Sequence, residues 1–193
     1  MSNEQKRPRR WLQRRDWLAA AVETLLKEGI ESVRIERLAR DLQVTKGSFY
    51  GHFRDRSELL GAVLDYWEQQ TTGAVPARIK ELNGSASERL LWLMQDVDAA
   101  RRGRFDVAVR AWAVQDTVAK RAVRRQDLAR HKIMRELFNE LGFTATAADQ
   151  RARMVNYFLL GQQSTSDRMP RQDRRALIEF VHQLVIQPSY AGT

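Results

Sequence analysis

The chain has 193 residues, 43 % hydrophobic and 30 % charged, with 33 Lys and Arg against 24 Asp and Glu for a net charge of +9. That is a soluble globular balance, large enough for one ordinary domain or two small ones, and it excludes a disordered or fibrous chain. With no cysteine at all, disulfides, thiolate metal sites and cysteine nucleophiles are impossible.

The basic excess is uneven. Residues 1–56 hold 13 basic and 8 acidic side chains, and most of that early surplus is Lys6, Arg7, Arg9, Arg10, Arg14 and Arg15. Pro8 keeps the start from being helical, so a basic arm leading into a helix is expected. No long apolar run follows it. The segment Trp17 to Leu26 is interrupted by Glu23, so neither a signal peptide nor a spanning helix is expected, and a cytoplasmic protein with no membrane partner is.

Helical periodicity then runs through the chain. Leu18, Ala21, Val22 and Leu25 line a first helix closed by Gly29, and Ile35, Leu38, Ala39 and Leu42 give a short second face. After a connection at Val44, Thr45 is placed to cap a third helix by accepting from the amide of Gly47 or Ser48. Phe49 and Phe53, four apart, mark that helix's buried side. Asp55-Arg56-Ser57-Glu58 spells a capping box for a fourth helix, which is expected to continue with a kink past Gly73 and Pro76.

Ser85-Ala86-Ser87-Glu88 opens a fifth helix, expected to end near Gly103, and Phe105 to Ala113 makes a sixth. A long seventh follows from Asp116, with Val118, Ala122, Ala129, Ile133 and Leu137 as its apolar row, closed by Gly142. Thr146 to Gln162 and Arg171 to Ile186 are the eighth and ninth. The expected class is therefore all-α with about nine helices.

Two short helices joined by a brief turn and packed on a longer first helix make a helix-turn-helix. The face of the third helix away from Phe49 and Phe53 carries Lys46, Gly47, Ser48, Tyr50 and His52, and Thr45 to Phe53 holds no acidic residue. Small, hydroxylated and basic groups of this kind approach phosphates and base edges closely. The stretch from about Arg14 to Trp67 resembles the DNA-binding region of the TetR family of bacterial transcriptional regulators. The residues carrying the likeness are Gly29, Leu38-Ala39, Val44 through Phe53, and Asp55-Arg56-Ser57-Glu58-Leu59-Leu60.

The resemblance implies DNA contacts from Arg34, Thr45, Lys46, Gly47, Ser48, Tyr50, His52 and Arg56, with Arg9 and Arg10 of the arm beside them. It also implies residues 1–56 as the DNA-binding domain and 57–193 as a helical effector-binding and dimerisation domain. Three positions depart from the family pattern. Arg34 replaces the usual Ser or Thr cap of helix two, Gln43 replaces a turn glycine, and Gly51 stands where a larger side chain is common.

The eighth and ninth helices are apolar over more than one stripe: Met154, Val155, Tyr157, Phe158, Leu159 and Leu160 on one, Leu177, Ile178, Phe180, Val181, Leu184 and Val185 on the other. By the resemblance, their second face pairs with its copy in a homodimer, suiting a palindromic double-stranded operator. Trp92, Met94, Phe105, Trp112, Phe138 and Phe158 are candidates to line an apolar effector pocket, with Arg110 or Gln115 as a polar anchor. The basic run Arg121, Arg124, Arg125, Arg130, Lys132 and Arg135 reads as a solvated face.

Catalysis is not expected. Glu179-Phe180-Val181-His182 lacks the second Glu-x-x-His of a di-iron bundle, and no phosphate loop or hydrolase motif is present. No cofactor or metal is implied. The resulting expectation is a DNA-binding regulator, a repressor released by a small hydrophobic or aromatic effector. The alternative is a basic helical protein that binds nucleic acid or membrane without sequence preference.

Overall fold

A computed structural model describes residues 12–73, 75–97, 100–165 and 169–188. Among them every regular element is helical: α1 (Arg14–Glu28), α2 (Ile35–Asp41), α3 (Lys46–Tyr50), α4 (Arg56–Glu68), α5 (Val75–Glu81), α6 (Ala86–Val97), α7 (Ala100–Ala113), α8 (Thr117–Glu140), α9 (Ala145–Ser164) and α10 (Arg171–Ile186). A 3₁₀ turn spans Ile30–Ser32, and a π-helical segment spans Gln69–Gly73. The expected long fourth helix is α4 and α5 joined by that π segment, so the last expected helix is α10. Two compact units meet in sequence between Val63 and Leu64.

In the N-terminal unit, Trp17, Ala21 and Leu25 of α1 are buried together with Leu38 and Ala39 of α2, Phe49 and Phe53. Trp17 meets Phe49 edge-on at 5.2 Å between ring centroids, and Phe49 stacks on Phe53 at 5.5 Å. Trp17, rather than Leu18, is thus the leading core residue of α1. Arg37 of α2 binds the Glu28 carboxylate with two nitrogens and reaches Asp41 at 3.3 Å, fixing α2 against the end of α1.

Helix ends follow local chemistry. Gly29 stands at φ 83° after α1, and its N–H donates to the Leu25 carbonyl at 3.0 Å. The Asp55 box forms in one arm, with Glu58 N donating to Asp55 Oδ1 at 2.9 Å; the returning Glu58 Oε2 accepts from Arg54 N at 2.8 Å, one residue ahead of the cap. The Ser85 box forms as well, with Ser85 N donating to Glu88 Oε2 at 2.8 Å. Asp116 caps α8 by accepting from Val118 N and Ala119 N, and Gly142, at φ 88°, follows its end.

Two expectations in the C-terminal unit are corrected. Gly103 does not end a helix; it lies inside α7, buried, where a Cβ would come within 3.1 Å of the Gln163 side chain of α9. Close approach of two helices, not chain termination, accounts for a glycine there. The buried row of α8 is Ala119, Ala122, Gln126, Arg130, Met134, Leu137 and Phe138, while Val118 is 51 % exposed and Ala129 also faces solvent. Two polar residues occupy the inward face, so an apolar count finds Ala122 and Leu137 but misplaces Val118 and Ala129.

Arg130 therefore leaves the solvated basic run. It is buried, and its guanidinium donates to both oxygens of buried Asp106 on α7 at 2.7 and 3.2 Å. Arg110 donates to the same carboxylate at 2.8 Å and to Asp127 at 3.0 Å. Gln126 is buried beside Thr71 of the π segment, whose hydroxyl donates to the Trp67 carbonyl at 2.7 Å. The apolar core of this unit joins Leu90, Met94, Met134, Phe138, Ala152, Val155 and Ile178 from α6, α8, α9 and α10.

Candidate nucleic-acid interface

The turn between α2 and α3 is set by Gln43 at φ 58°, the one non-glycine with positive φ among the described residues. Its N–H donates to the Arg40 carbonyl, and Val44 N donates to the Ala39 carbonyl at 2.9 Å. The glycine missing from this turn is thus replaced by a residue held in the left-handed region. α3 itself is five residues long, with a turn at Gly51 and His52 before buried Phe53.

Burial of Phe49 and Phe53 turns the other side of this segment outward. Thr45, Lys46, Gly47 and Tyr50 are exposed, Tyr50 by 59 %, and Ser48 and His52 are half-exposed. The Thr45 hydroxyl does not cap α3 as expected; only its carbonyl engages, accepting from Ser48 N at 3.1 Å. A cap needs the hydroxyl aimed back along the helix, and here backbone geometry alone closes the first turn. Lys46 Nζ sits 2.6 Å from Glu36 Oε1 of α2.

Arg34 stands at the start of α2 without a side-chain cap, as its replacement of Ser or Thr implies, and donates from Nε to the Glu31 carbonyl at 2.8 Å. Arg56 is half-buried: Nε donates to the Val33 carbonyl at 2.7 Å and Nη2 to the Ile30 carbonyl at 3.0 Å. Its guanidinium thereby ties the start of α4 to the 3₁₀ turn. Arg14 lies 4.3 Å over the Phe53 ring and 3.1 Å from Glu58. Arg9 and Arg10 lie outside the described residues.

Residues 18–63 match the family model of the bacterial regulatory proteins, tetR family. The helix-turn-helix of this chain is therefore similar to that of the tetR family. The TetR-like fold extends over the rest of the chain, as solved structures show. A TetR-family transcriptional regulator from Streptomyces coelicolor superposes with a TM-score of 0.76 at 21 % identity, covering 90 % of this chain and 93 % of its own. The fatty acid degradation regulator FadR from Bacillus halodurans gives 0.68 at 15 % identity, covering 97 % and 99 %. The ketosteroid transcriptional regulator KstR2 of Mycobacterium tuberculosis gives 0.66 at 14 %, covering 90 % and 92 %. A comparison with curated proteins gives no match.

Outside the helix-turn-helix module, the candidate effector residues divide. Met94 and Phe138 belong to the shared core, and Trp92 and Phe158 pack against it half-buried. Arg78 lies 4.8 Å over the Trp92 ring. Phe105 and Trp112, both buried on α7, are not part of that cluster. Arg110 is engaged by Asp106 and Asp127, and Gln115 is exposed.

α9 and α10 each show two apolar faces. Val155, Leu159, Ile178 and Val185 are buried, while Met154, Tyr157, Phe180 and Leu184 are 48–64 % exposed. Among the described residues no helix is long and apolar enough to cross a membrane.

The residue that sequence reading missed in this interface is Glu36. Ten positions separate it from Lys46 across a turn, and no helical periodicity links them. Only the packing of α2 beside α3 brings the two together.

Proposed function

We propose that the chain is a sequence-specific transcriptional repressor that binds a palindromic double-stranded operator as a homodimer and is released from it by a small effector. The observation that carries this reading is the outward surface of α3. Phe49 and Phe53 are wholly buried while Thr45, Lys46, Gly47 and Tyr50 face solvent, on a segment without a carboxylate. Arg34, Ser48 and His52 extend that surface, and Arg56 supports it by fixing the turn behind α2. In this reading residues 1–56, with Arg9 and Arg10 in the arm, bind DNA in the cytoplasm. Residues 57–193 bind effector and dimerise.

The exposed apolar residues of α9 and α10 support pairing of two copies, because monomers rarely leave such a face in water. Trp92, Met94, Phe105, Trp112, Phe138 and Phe158 would line a site for a hydrophobic or aromatic effector. FadR and KstR2 carry fatty acid and ketosteroid in their names, both largely apolar molecules, which supports that class. Effector binding would shift the body to a state in which the two reading helices no longer match the operator.

The test is selection of bound duplexes from a random-sequence pool with the full-length protein, followed by titration. A selected duplex should bind about a thousandfold more tightly than random sequence, with affinity falling as salt rises. Lys46→Ala should weaken binding and relax the preference. Equal affinity for all sequences, unmoved by Lys46→Ala, would remove the reading. Sedimentation should give a dimer at micromolar concentration that Phe180→Glu dissociates; a monomeric wild type would remove the dimer.

A further inference from the structure

The cation that opens α4 spends its guanidinium on the protein's own backbone. Arg56 Nε donates to the Val33 carbonyl at 2.7 Å and Nη2 to the Ile30 carbonyl at 3.0 Å, from a half-buried side chain. Arg54, two residues earlier, has a side chain 83 % exposed that pairs with Asp55. The turn that Arg56 holds runs from Gly29, at φ 83°, through Ile30–Ser32 to buried Val33. Arg34 follows at once, and its own Nε donates to the Glu31 carbonyl of the same turn at 2.8 Å. Three carbonyls of one short turn therefore accept from two guanidiniums, one from α4 and one from the start of α2.

This strut has a firm base. The first turn of α4 is pinned by Asp55, which accepts from Glu58 N at 2.9 Å, and Leu59 just behind it is wholly buried. α2 starts without a side-chain cap, so its entry is held by backbone bonds and by these arginines instead. In helix-turn-helix docking the first helix of the motif crosses the DNA backbone and the second enters the groove, so the placement of α2 sets the register of α3. A lysine could match the charge of Arg56 but not the planar fork that serves two carbonyls at once.

We propose that Arg56 acts on DNA recognition as a positioning residue, holding the turn before α2 so that Arg34 and α3 meet the operator in register, rather than as a phosphate contact. The proposal rests on the reading of the chain as a sequence-specific DNA binder. Random sequence needs only cations near phosphates, and those adapt to a loosened turn. An operator complex needs one register, so it bears the cost of re-ordering the turn, and loss of Arg56 narrows the gap between the two.

The experiment measures binding of the full-length wild type, Arg56→Met and Arg56→Lys to the selected duplex and to a random-sequence duplex of equal length. Titrations run across a salt series, below the lowest thermal midpoint, with affinities counted per folded molecule. Arg56→Met should bind the selected duplex about tenfold more weakly, comparable to one mismatched base pair, and the random duplex less than about threefold more weakly. Its salt slope should change by less than about half of one phosphate contact. Arg56→Lys should stay within about twofold of Arg56→Met on the selected duplex.

Recovery of affinity by lysine, or a salt slope lowered by about 0.9 in Arg56→Met, would make Arg56 a phosphate contact and overturn the proposal. Equal losses on both probes, or binding unchanged per folded molecule, would leave Arg56 only a charge or only a brace for stability, and would also overturn it. Should Arg56→Met not fold, Arg56→Lys decides alone: weaker binding confined to the selected duplex supports the proposal, and wild-type binding overturns it. A wild type that selects no preferred duplex at all removes the underlying function instead, so the two failures are told apart.

Discussion

Asp106 and Arg130 meet inside the α7–α8 pair at 2.7 Å, with the carboxylate 2 % and the arginine 8 % exposed. Burial would raise the Asp106 carboxyl, but the Arg130 guanidinium, with Arg110 adding to it, outweighs burial and holds it below the usual carboxylate range. A buried charge kept ionised by its partner becomes a liability when that partner is removed.

Asp106→Ala should therefore destabilise the protein by about 3–5 kcal/mol, because Arg130 is left charged and without its carboxylate. Replacing both partners, with Asp106→Leu and Arg130→Met, should recover most of that loss. Urea denaturation measures both. The sign with pH follows: a depressed carboxylate contributes stability above its unfolded pKa, near 4, and that contribution is lost as pH falls through the folded value. A double variant as unstable as Asp106→Ala would show that packing, not the unpaired charge, dominates.

Gln43 sits at φ 58°, is exposed, and replaces a turn glycine. A left-handed side-chain residue costs about 1–2 kcal/mol, and glycine gives back part of the gain through its freer unfolded chain. Gln43→Gly should raise stability by about 0.5–1 kcal/mol in thermal or urea unfolding. Gln43→Val, β-branched, should do the reverse.

Gly47 separates folding from binding. A Cβ there would meet only the Thr45 Oγ1 at 3.7 Å, an ordinary contact, and alanine suits a helix better than glycine by about 1 kcal/mol. Gly47→Ala should leave the thermal midpoint equal or higher. If the α3 backbone closes on a groove, the same change should weaken binding to the selected duplex by tenfold or more in a titration. Unchanged affinity would move the closest approach elsewhere on α3.

His182 of α10 is buried, its Nε2 2.9 Å from the Ser87 carbonyl and 3.2 Å from the Ser87 hydroxyl at the start of α6. Burial lowers its pKa, outweighing the bond to Ser87. A histidine depressed in the folded state binds its proton more readily when unfolded. Its contribution to stability is thus complete above the unfolded pKa, near 6.5, and is lost as pH falls below it. Thermal melts from pH 8 to 5.5 should show a decline that flattens in His182→Gln. Parallel profiles would assign the decline to other groups.

Much of the helical plan was readable because local chemistry and periodicity agreed. Arg171 and Ile186 bound α10 where its apolar pattern starts and stops, the Ser85–Glu88 box forms as spelled, and Asp55 accepts from Glu58 N as expected. The outward set on α3 followed from Phe49 and Phe53 alone. What could not be read depends on partners distant in sequence. Gln126 and Arg130 point inward only because Thr71 and Asp106 wait there. Gly103 is small for the sake of Gln163, sixty residues on, and Glu36 joins the interface only through packing of α2 beside α3.

The π segment Gln69–Gly73 leaves Trp67, Thr71, Val75 and Ile79 buried at a strict spacing of four. In a regular helix of 3.6 residues per turn, each step of four drifts by about 40°, and three steps would swing the last residue well off the core. The wider π turn absorbs that drift. It works as a phase corrector, and this makes the segment intolerant of a change in length. Removing any one of its five residues would turn everything after it by about 100° and carry Val75 and Ile79 out of the core together.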